Sequence, residues 1–352
     1  MEKDMKNTKA MISRRGLLAS AAAGTALVCA PRLARAAGGR VVVGTWGGDY
    51  ARLLNKNIEE PFLISEGWEV IQDQAGDPER RAKMAAERRL PRGSTDIQAV
   101  NGTSMYQLFE QGITQEIDYS KLANGDDVLP AFKHNYGIGH IYSGMVGVYN
   151  PDTREAPESF AKVLDPANGA KLGFIDIQYQ YTMIAAGLAA GGGVTDVEMG
   201  KGLLLEARKA GARIYPTNEA FAQGLANGEI DIGLMWKART VQWQKAGISV
   251  MGATPSEGAI PYESGFVIPK NSPNVDGAYA YLDAMLQPAA QEAFAVDMGY
   301  NPTVSDAEIS PELTQKIGFT PEEVENLNSP DYGFILENDA DMKGWWDKSF
   351  AA

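Results

Sequence analysis

Cysteine is almost missing from this 352-residue chain, which has a single one at Cys29. A lipid-modified cysteine would have Leu three residues before it and a small residue just before it. Here Ala26 and Val28 stand in those places, so no lipid anchor is expected. Cys29 lies in a leader-like N-terminus, so the mature chain is expected to hold no cysteine. That excludes disulfides, thiolate catalysis and thiolate metal sites. Histidine is scarce too, at His134 and His140 only. A spacing of six does not put both on one helix face, and neither sits in an H-E-x-x-H frame, so no metal site is expected. G-x-S-x-G and P-loop motifs are absent, and Gly44 to Gly48 does not match G-x-G-x-x-G. Neither a nucleophile elbow nor a nucleotide cradle is available, and no cofactor is expected. After residue 36 no run approaches about 18 apolar residues, the length of a spanning helix, which predicts a soluble mature chain.

The N-terminus reads as an export signal. Ser13-Arg14-Arg15-Gly16-Leu17-Leu18 is a twin-arginine pattern, an Ala-rich apolar run follows to Ala30, and Ala34-Arg35-Ala36 is a small-x-small cleavage site. Residues 1–36 are therefore expected to be a twin-arginine signal peptide, with Ala37 opening a periplasmic chain. They carry seven Lys/Arg and two Asp/Glu, so their removal takes the net charge from −13 to −18. Such acidity argues against nucleic acid or an anionic membrane as partner.

What is present is an α/β alternation. Val41-Val42-Val43-Gly44-Thr45 reads as a buried strand, followed by Trp46-Gly47-Gly48 as a tight turn. Asp49 is expected to cap a helix over 49–60, with Tyr50, Leu53, Leu54 and Ile58 on its inner side and Pro61-Phe62 at its end. A strand at 68–71, a helix capped by Asp77, and a strand at 96–100 running into Asn101-Gly102-Thr103-Ser104 continue the series. Gly137 to Asn150 reads as long strands crossing between lobes. A second series follows, with strands at 172–175, 212–215, 230–235 and 248–251, and a helix capped by Asn218. Gly265 to Pro269 is one more strand, and the tail from Asp306 reads as short helices punctuated by Pro311, Pro321 and Pro330. Two such series with separate hydrophobic strands predict two lobes and a cleft between them.

Aromatic residues gather at strand ends: Trp46 and Tyr50, Tyr179 and Tyr181, Trp236, and Tyr262. Aromatic faces suit a cation or a flat apolar ligand, and the carboxylates Asp49, Asp176 and Glu263 nearby would hold an ammonium. Arg239, with Lys237 and Arg213, points instead to a ligand bearing a carboxylate. A secreted carboxylate-pair hydrolase stays open beside a receptor, because an acidic chain always offers carboxyl pairs.

Several stretches together resemble a known family: Thr45-Trp46-Gly47-Gly48, Pro61-Phe62, Ile117 to Leu122, Val148-Tyr149-Asn150, Asn227-Gly228-Glu229 with Trp236, Pro255-Ser256-Glu257-Gly258, and Gly299 to Pro302. Over nearly the whole mature chain the sequence resembles periplasmic solute-binding proteins of bacterial ABC importers, in the spermidine/putrescine-binding group. The resemblance implies an α/β, two-lobe periplasmic binding protein fold of class II type, hinge-linked, with its ligand cleft between the lobes. The lobes are expected at 37–140 plus 265–306 and at 141–264 plus 307–352. It also implies a non-enzymatic monomer that hands a small molecule (a polyamine, an ω-amino acid or a relative) to an inner-membrane permease. Trp46, Asp176, Trp236 and Tyr262 fall on or near the family's ligand contacts. Polyamine binders of this group place an Asp two residues after the last of these rings, where this chain has Ser264. The expected ligand-binding set is Thr45, Trp46, Asp49, Tyr50, Asn101, Thr103, Asp176, Tyr179, Trp236, Arg239, Tyr262, Glu263 and Ser264.

Overall fold

The computed structural model describes residues 38–352. The twin-arginine and cleavage motifs lie outside the described residues. The first series runs β1 (Arg40–Thr45), α1 (Gly48–Leu54), β2 (Glu69–Gln74), α2 (Asp77–Glu87), β3 (Ile97–Asn101) and α3 (Gly102–Glu110). β1 lies parallel to both β2 and β3, as strands joined by helical crossovers do. A short β4 (Lys133–His134) leads into β5 (Gly137–Tyr149), thirteen residues long and buried throughout. The second series is β6 (Leu172–Ile175), α4 (Tyr179–Ala189), β7 (Arg213–Tyr215), β8 (Ile232–Trp236), α5 (Lys237–Lys245) and β9 (Met251–Ala253). β10 (Ile260–Val267), α6 (Val275–Met285), α7 (Pro288–Met298), β11 (Asn301–Pro302) and, after short helices at Pro311–Ile317 and Pro321–Glu325, the C-terminal helix α8 (Tyr332–Trp345) follow.

One sheet joins the two series in the order β2-β1-β3-β10-β5-β8-β6-β7, with β4, β9 and β11 also on β5. β6 pairs in parallel with β7 and β8, whereas β10 is antiparallel to both β3 and β5. The antiparallel pair β5 and β10 therefore crosses between two parallel halves, and the molecule has the two-lobe α/β form expected. Each half has its own core. Val41, Val43, Ile97, Phe266, Tyr281 and Phe294 pack in one. Phe160, Phe174, Ile184, Phe221, Trp346 and Phe350 pack in the other. Trp346 and Phe350 come from the very end of the chain, so the tail returns to the second core.

The β5–β10 ladder carries an irregularity where the site is built. Ser264 faces Ile141, but Gly265 faces Gly139, so His140 is the extra residue of a bulge. Gly265 is required there, because a Cβ would stand 2.1 Å from the Ile138 carbonyl oxygen.

Several local expectations give way. Asp49 does not cap α1: the N-cap is Gly47, Gly48 takes a left-handed φ of 67°, and Asp49 is already helical. Its carboxylate turns to Arg52 at 3.0 Å in solvent. Helical backbone continues through a π-helical turn at Asn55–Glu59 and ends at Phe62, as expected from Pro61-Phe62. Pro61 is tolerated because it sits in the first turn of the short Glu60–Phe62 helix, where no amide hydrogen is needed. Asp77 and Asn218 are first helical residues, and Gly76 and Thr217 hold the N-cap positions. Trp236 and Tyr262 lie within β8 and β10 instead of beyond their ends. The strand expected at 248–251 begins only at Met251, where it can pair with Tyr149 of β5.

Candidate functional site

Strand alternation decides which side chains reach the cleft. Along β10, Tyr262 and Ser264 point to one face and Glu263 to the other. Tyr262 and Ser264 are joined by a hydroxyl–hydroxyl hydrogen bond of 2.9 Å. Two hollows open on that face, and Tyr262 belongs to both.

The smaller hollow, about 210 Å³, is walled by Trp46, Tyr50, Arg239, Tyr262, Ser264 and Tyr300, with Ile141 and Met298. Trp46 stands edge-on to Tyr50, with ring centroids 5.1 Å apart. Tyr50 lies at the start of α1 on its buried side, and its hydroxyl meets Nδ1 of His140 at 2.9 Å. Burial pulls His140 down to about 3, so the ring is neutral at pH 7. The guanidinium of Arg80, 1% exposed, lies over the Trp46 ring at 4.9 Å. Arg239, on the first turn of α5, donates from Nη1 to Oε1 of Gln242 at 2.9 Å, while its Nε is buried without a partner.

The larger hollow, about 430 Å³, gathers residues from both halves. Asp77 and Arg81 come from α2, and Asn101, Thr103, Ser104 and Gln107 from the β3–α3 junction. Across from them stand Gln178, Gln180 and Tyr181 around the start of α4, with Asn218 and Trp236. The C-terminal helix α8 adds Leu336 and Asp339. Asn101 caps α3 by accepting from the Ser104 amide at 2.9 Å. Trp236 receives Tyr181 edge-on at 4.7 Å and lies 5.0 Å from Tyr262, making an aromatic row along the floor. Arg81 donates from Nε to Asp77 at 2.8 Å and from Nη1 to Gln107 at 2.7 Å. Asp339 accepts from the Tyr179 hydroxyl and from Nε2 of Gln180, both on Oδ1.

Of the thirteen expected residues, the structure brings Trp46, Tyr50, Asn101, Thr103, Trp236, Arg239, Tyr262 and Ser264 to these two walls. It leaves five outside. Thr45 is fully buried at the end of β1. Asp49 is in solvent with Arg52. Asp176 accepts from the Trp346 indole at 2.7 Å, and Tyr179 is held by Asp339, so both anchor the returning tail. Glu263 faces away from the cleft, taking Nε2 of His134 at 2.9 Å and the Tyr332 hydroxyl at 3.1 Å. Lys237 is also elsewhere: its ammonium donates to the Gly318 carbonyl and lies over Phe319. Arg213 is paired with Glu229 at 3.7 Å on the exposed edge strand β7.

Asp77, Arg81, Gln107 and Asp339 were not anticipated as site residues. Asp77 and Arg81 had a signal, being one helical turn apart on a helix that follows a strand carboxyl end. Asp339 had none, because only the return of α8 brings it near. No cluster of three or more His, Cys, Asp or Glu side chains able to hold a metal occurs among the described residues. No helix among them is long and apolar enough to cross a membrane.

This geometry defines a two-lobe α/β protein with an aromatic-floored cleft at the carboxyl ends of its strands. The chain belongs to the bacterial extracellular solute-binding protein family, whose model matches residues 59–321. Among curated relatives, the spermidine/putrescine-binding periplasmic protein of Escherichia coli (strain K12) is 25% identical over 223 residues. That match covers 59% of this chain and 63% of the relative, so it spans less than two thirds of the relative's length. An ABC transporter structure from Clostridium perfringens superposes with a TM-score of 0.76 at 25% identity, covering 88% of this chain and 99% of the other. A GABA receptor structure shares the fold at a TM-score of 0.75 and 22% identity, covering 89% and 98%.

Proposed function

We propose that this chain is the periplasmic substrate-binding component of an ABC importer, and that it captures a small organic nitrogen compound, polyamine-like or amino-acid-like, without transforming it. The observation that carries this reading is the pair of hollows meeting at Tyr262, walled by aromatic and polar side chains from both sequence series. Family membership, the polyamine-binding name of the curated relative and the GABA-binding name of the structural neighbour support it. The reading keeps the lobes at 37–140 plus 265–306 and at 141–264 plus 307–352; most of each core falls within one of them, while Phe132, Ile141 and Ala238 pack across that division. In this reading Trp46, Tyr50, Trp236 and Tyr262 stack on the ligand, and Asn101, Thr103, Ser264 and Arg239 hold its polar ends. The lobes close on the ligand by rotation about β5 and β10, and the permease accepts the closed form, so that binding is coupled to delivery. The chain acts as a monomer after twin-arginine export.

A thermal-shift screen tests the proposal. Polyamines, ω-amino acids, betaines and opine-like compounds are offered to the purified chain. One class is expected to raise the melting temperature and to be recovered unchanged. Turnover of the stabilising compound would overturn the receptor reading in favour of a secreted enzyme.

A further inference from the structure

The charges in the two hollows are segregated, and this identifies the ligand more closely. In the smaller hollow Arg239 is the only charged wall residue; its Nη1 bonds a neutral amide and its Nε is buried without a partner. Among the described residues no carboxylate pairs with this guanidinium. The larger hollow holds two carboxylates and one cation. Arg81 is already committed to Asp77 at 2.8 Å; Asp339 takes hydrogen bonds from the Tyr179 hydroxyl and the Gln180 amide, and Lys343, the cation one turn along α8 that it feels, donates to Asp347. Asp77 retains a buried Oδ1 with no partner. One hollow is thus a net cation, the other a net anion, and the Tyr262 ring is shared between them. Arg81 offsets one of the two carboxylates that α2 and the C-terminal helix bring to this cavity, which leaves room for one further positive charge. Arg80 already occupies a face of Trp46, so an ammonium at that ring would meet a guanidinium.

We infer that the ligand is a zwitterion with separated ends, an ω-amino acid. Its carboxylate pairs with Arg239 beside Trp46 and Tyr50, its ammonium lies between Asp77 and Asp339, and its alkyl span crosses Tyr262 and Trp236. This rests on the receptor reading above and narrows it. A guanidinium–carboxylate pair at one end and charge-assisted hydrogen bonds at the other reject both a diamine and a dicarboxylate, because each leaves one like-charge contact in a partly buried site. Asp339 becomes a ligand residue supplied by the C-terminal helix.

Calorimetry with matched series decides it: ω-amino acids of three to six carbons, the corresponding diamines and the corresponding dicarboxylates. The full purified chain is expected to bind an ω-amino acid at least tenfold tighter than its diamine or dicarboxylate. Arg239→Gln is expected to weaken that ligand more than tenfold and to narrow its advantage over the diamine. Asp339→Asn, which keeps the hydrogen bonds to Tyr179 and Gln180 possible, is expected to narrow its advantage over the dicarboxylate. Arg239→Lys serves as a second variant that retains charge, with partial recovery expected. A diamine that binds as tightly as the ω-amino acid, or an affinity unchanged by Arg239→Gln, overturns the inference and leaves the receptor reading standing. Binding of nothing in the three series overturns the inference as well. The receptor reading then stands or falls on the wider thermal-shift screen.

Discussion

Trp236→Ala is the sharpest single test of the cleft. The indole ends β8, is 7% exposed, pairs in register with Met145, and touches Tyr181 at 4.7 Å and Tyr262 at 5.0 Å. Removing a buried ring of this size costs about 3–5 kcal/mol of fold stability. A domain of ordinary stability, about 5–15 kcal/mol, survives that loss with a lower melting temperature. The ligand loses one stacking face and the support that keeps Tyr262 oriented. Aromatic contacts are worth about 0.5–1.5 kcal/mol each, so the two together should weaken binding by about 1.4 kcal/mol or more, a factor of about ten. Trp236→Phe keeps a ring between Tyr181 and Tyr262 and should lose less. The assay is calorimetry at one temperature on both variants, with the ligand identified by screening, after circular dichroism has verified that each is folded. A folded Trp236→Ala variant with unchanged affinity would remove Trp236 from the site and refute the aromatic floor.

Two further predictions concern the scaffold beneath the cleft. Gly102→Ala would place a Cβ 2.2 Å from the Tyr332 hydroxyl and 2.8 Å from Oε1 of Glu263, breaking the bond that ties the C-terminal helix to β10. It should cost about 1–3 kcal/mol, with Tyr332→Phe losing a comparable amount, and a melting curve identical to the wild type would show that contact to be idle. His140, held by burial at about 3 against an ordinary 6.5, binds its proton more weakly in the folded chain. Its contribution is therefore full above about pH 6.5 and declines on acidification by about 1.4 kcal/mol per pH unit until the folded value is reached. His140→Asn should flatten that part of the stability–pH profile, and an unaltered profile would mean that His140 does not carry the linkage.

The contrast between Tyr262 and its neighbour explains what was legible beforehand. Alternation is a local property, but Tyr262 was expected ahead of the strand and Glu263 in the ligand set. Only because β10 runs through Ile260–Val267 does alternation put Tyr262 and Ser264 on one face and Glu263 on the other. The inner stripe of α1 and the π-helical turn after it was legible, since Tyr50, Leu53, Leu54 and Ile58 are all buried as their spacing requires. The caps expected at Asp77 and Asn218 failed by one residue and that at Asp49 by two, because Gly76, Thr217 and Gly47 could open the helix just as well. Asp176 and Tyr179 had the right chemistry at the right strand end. They are engaged by Trp346 and Asp339, residues about 160 positions or more away in the chain.

By itself the sequence determined the α/β alternation, the two-lobe architecture and the aromatic character of the cleft, since periodicity, turn chemistry and residue type act over a few neighbouring positions. Only the tertiary structure decided which charges meet. The order of strands in the sheet put Arg239 beside Trp46, and the returning helix carried Asp339 to a cavity shared with Asp77. Such meetings depend on packing between segments far apart in the chain, where the free energy of burying a core, and no local preference, sets the arrangement.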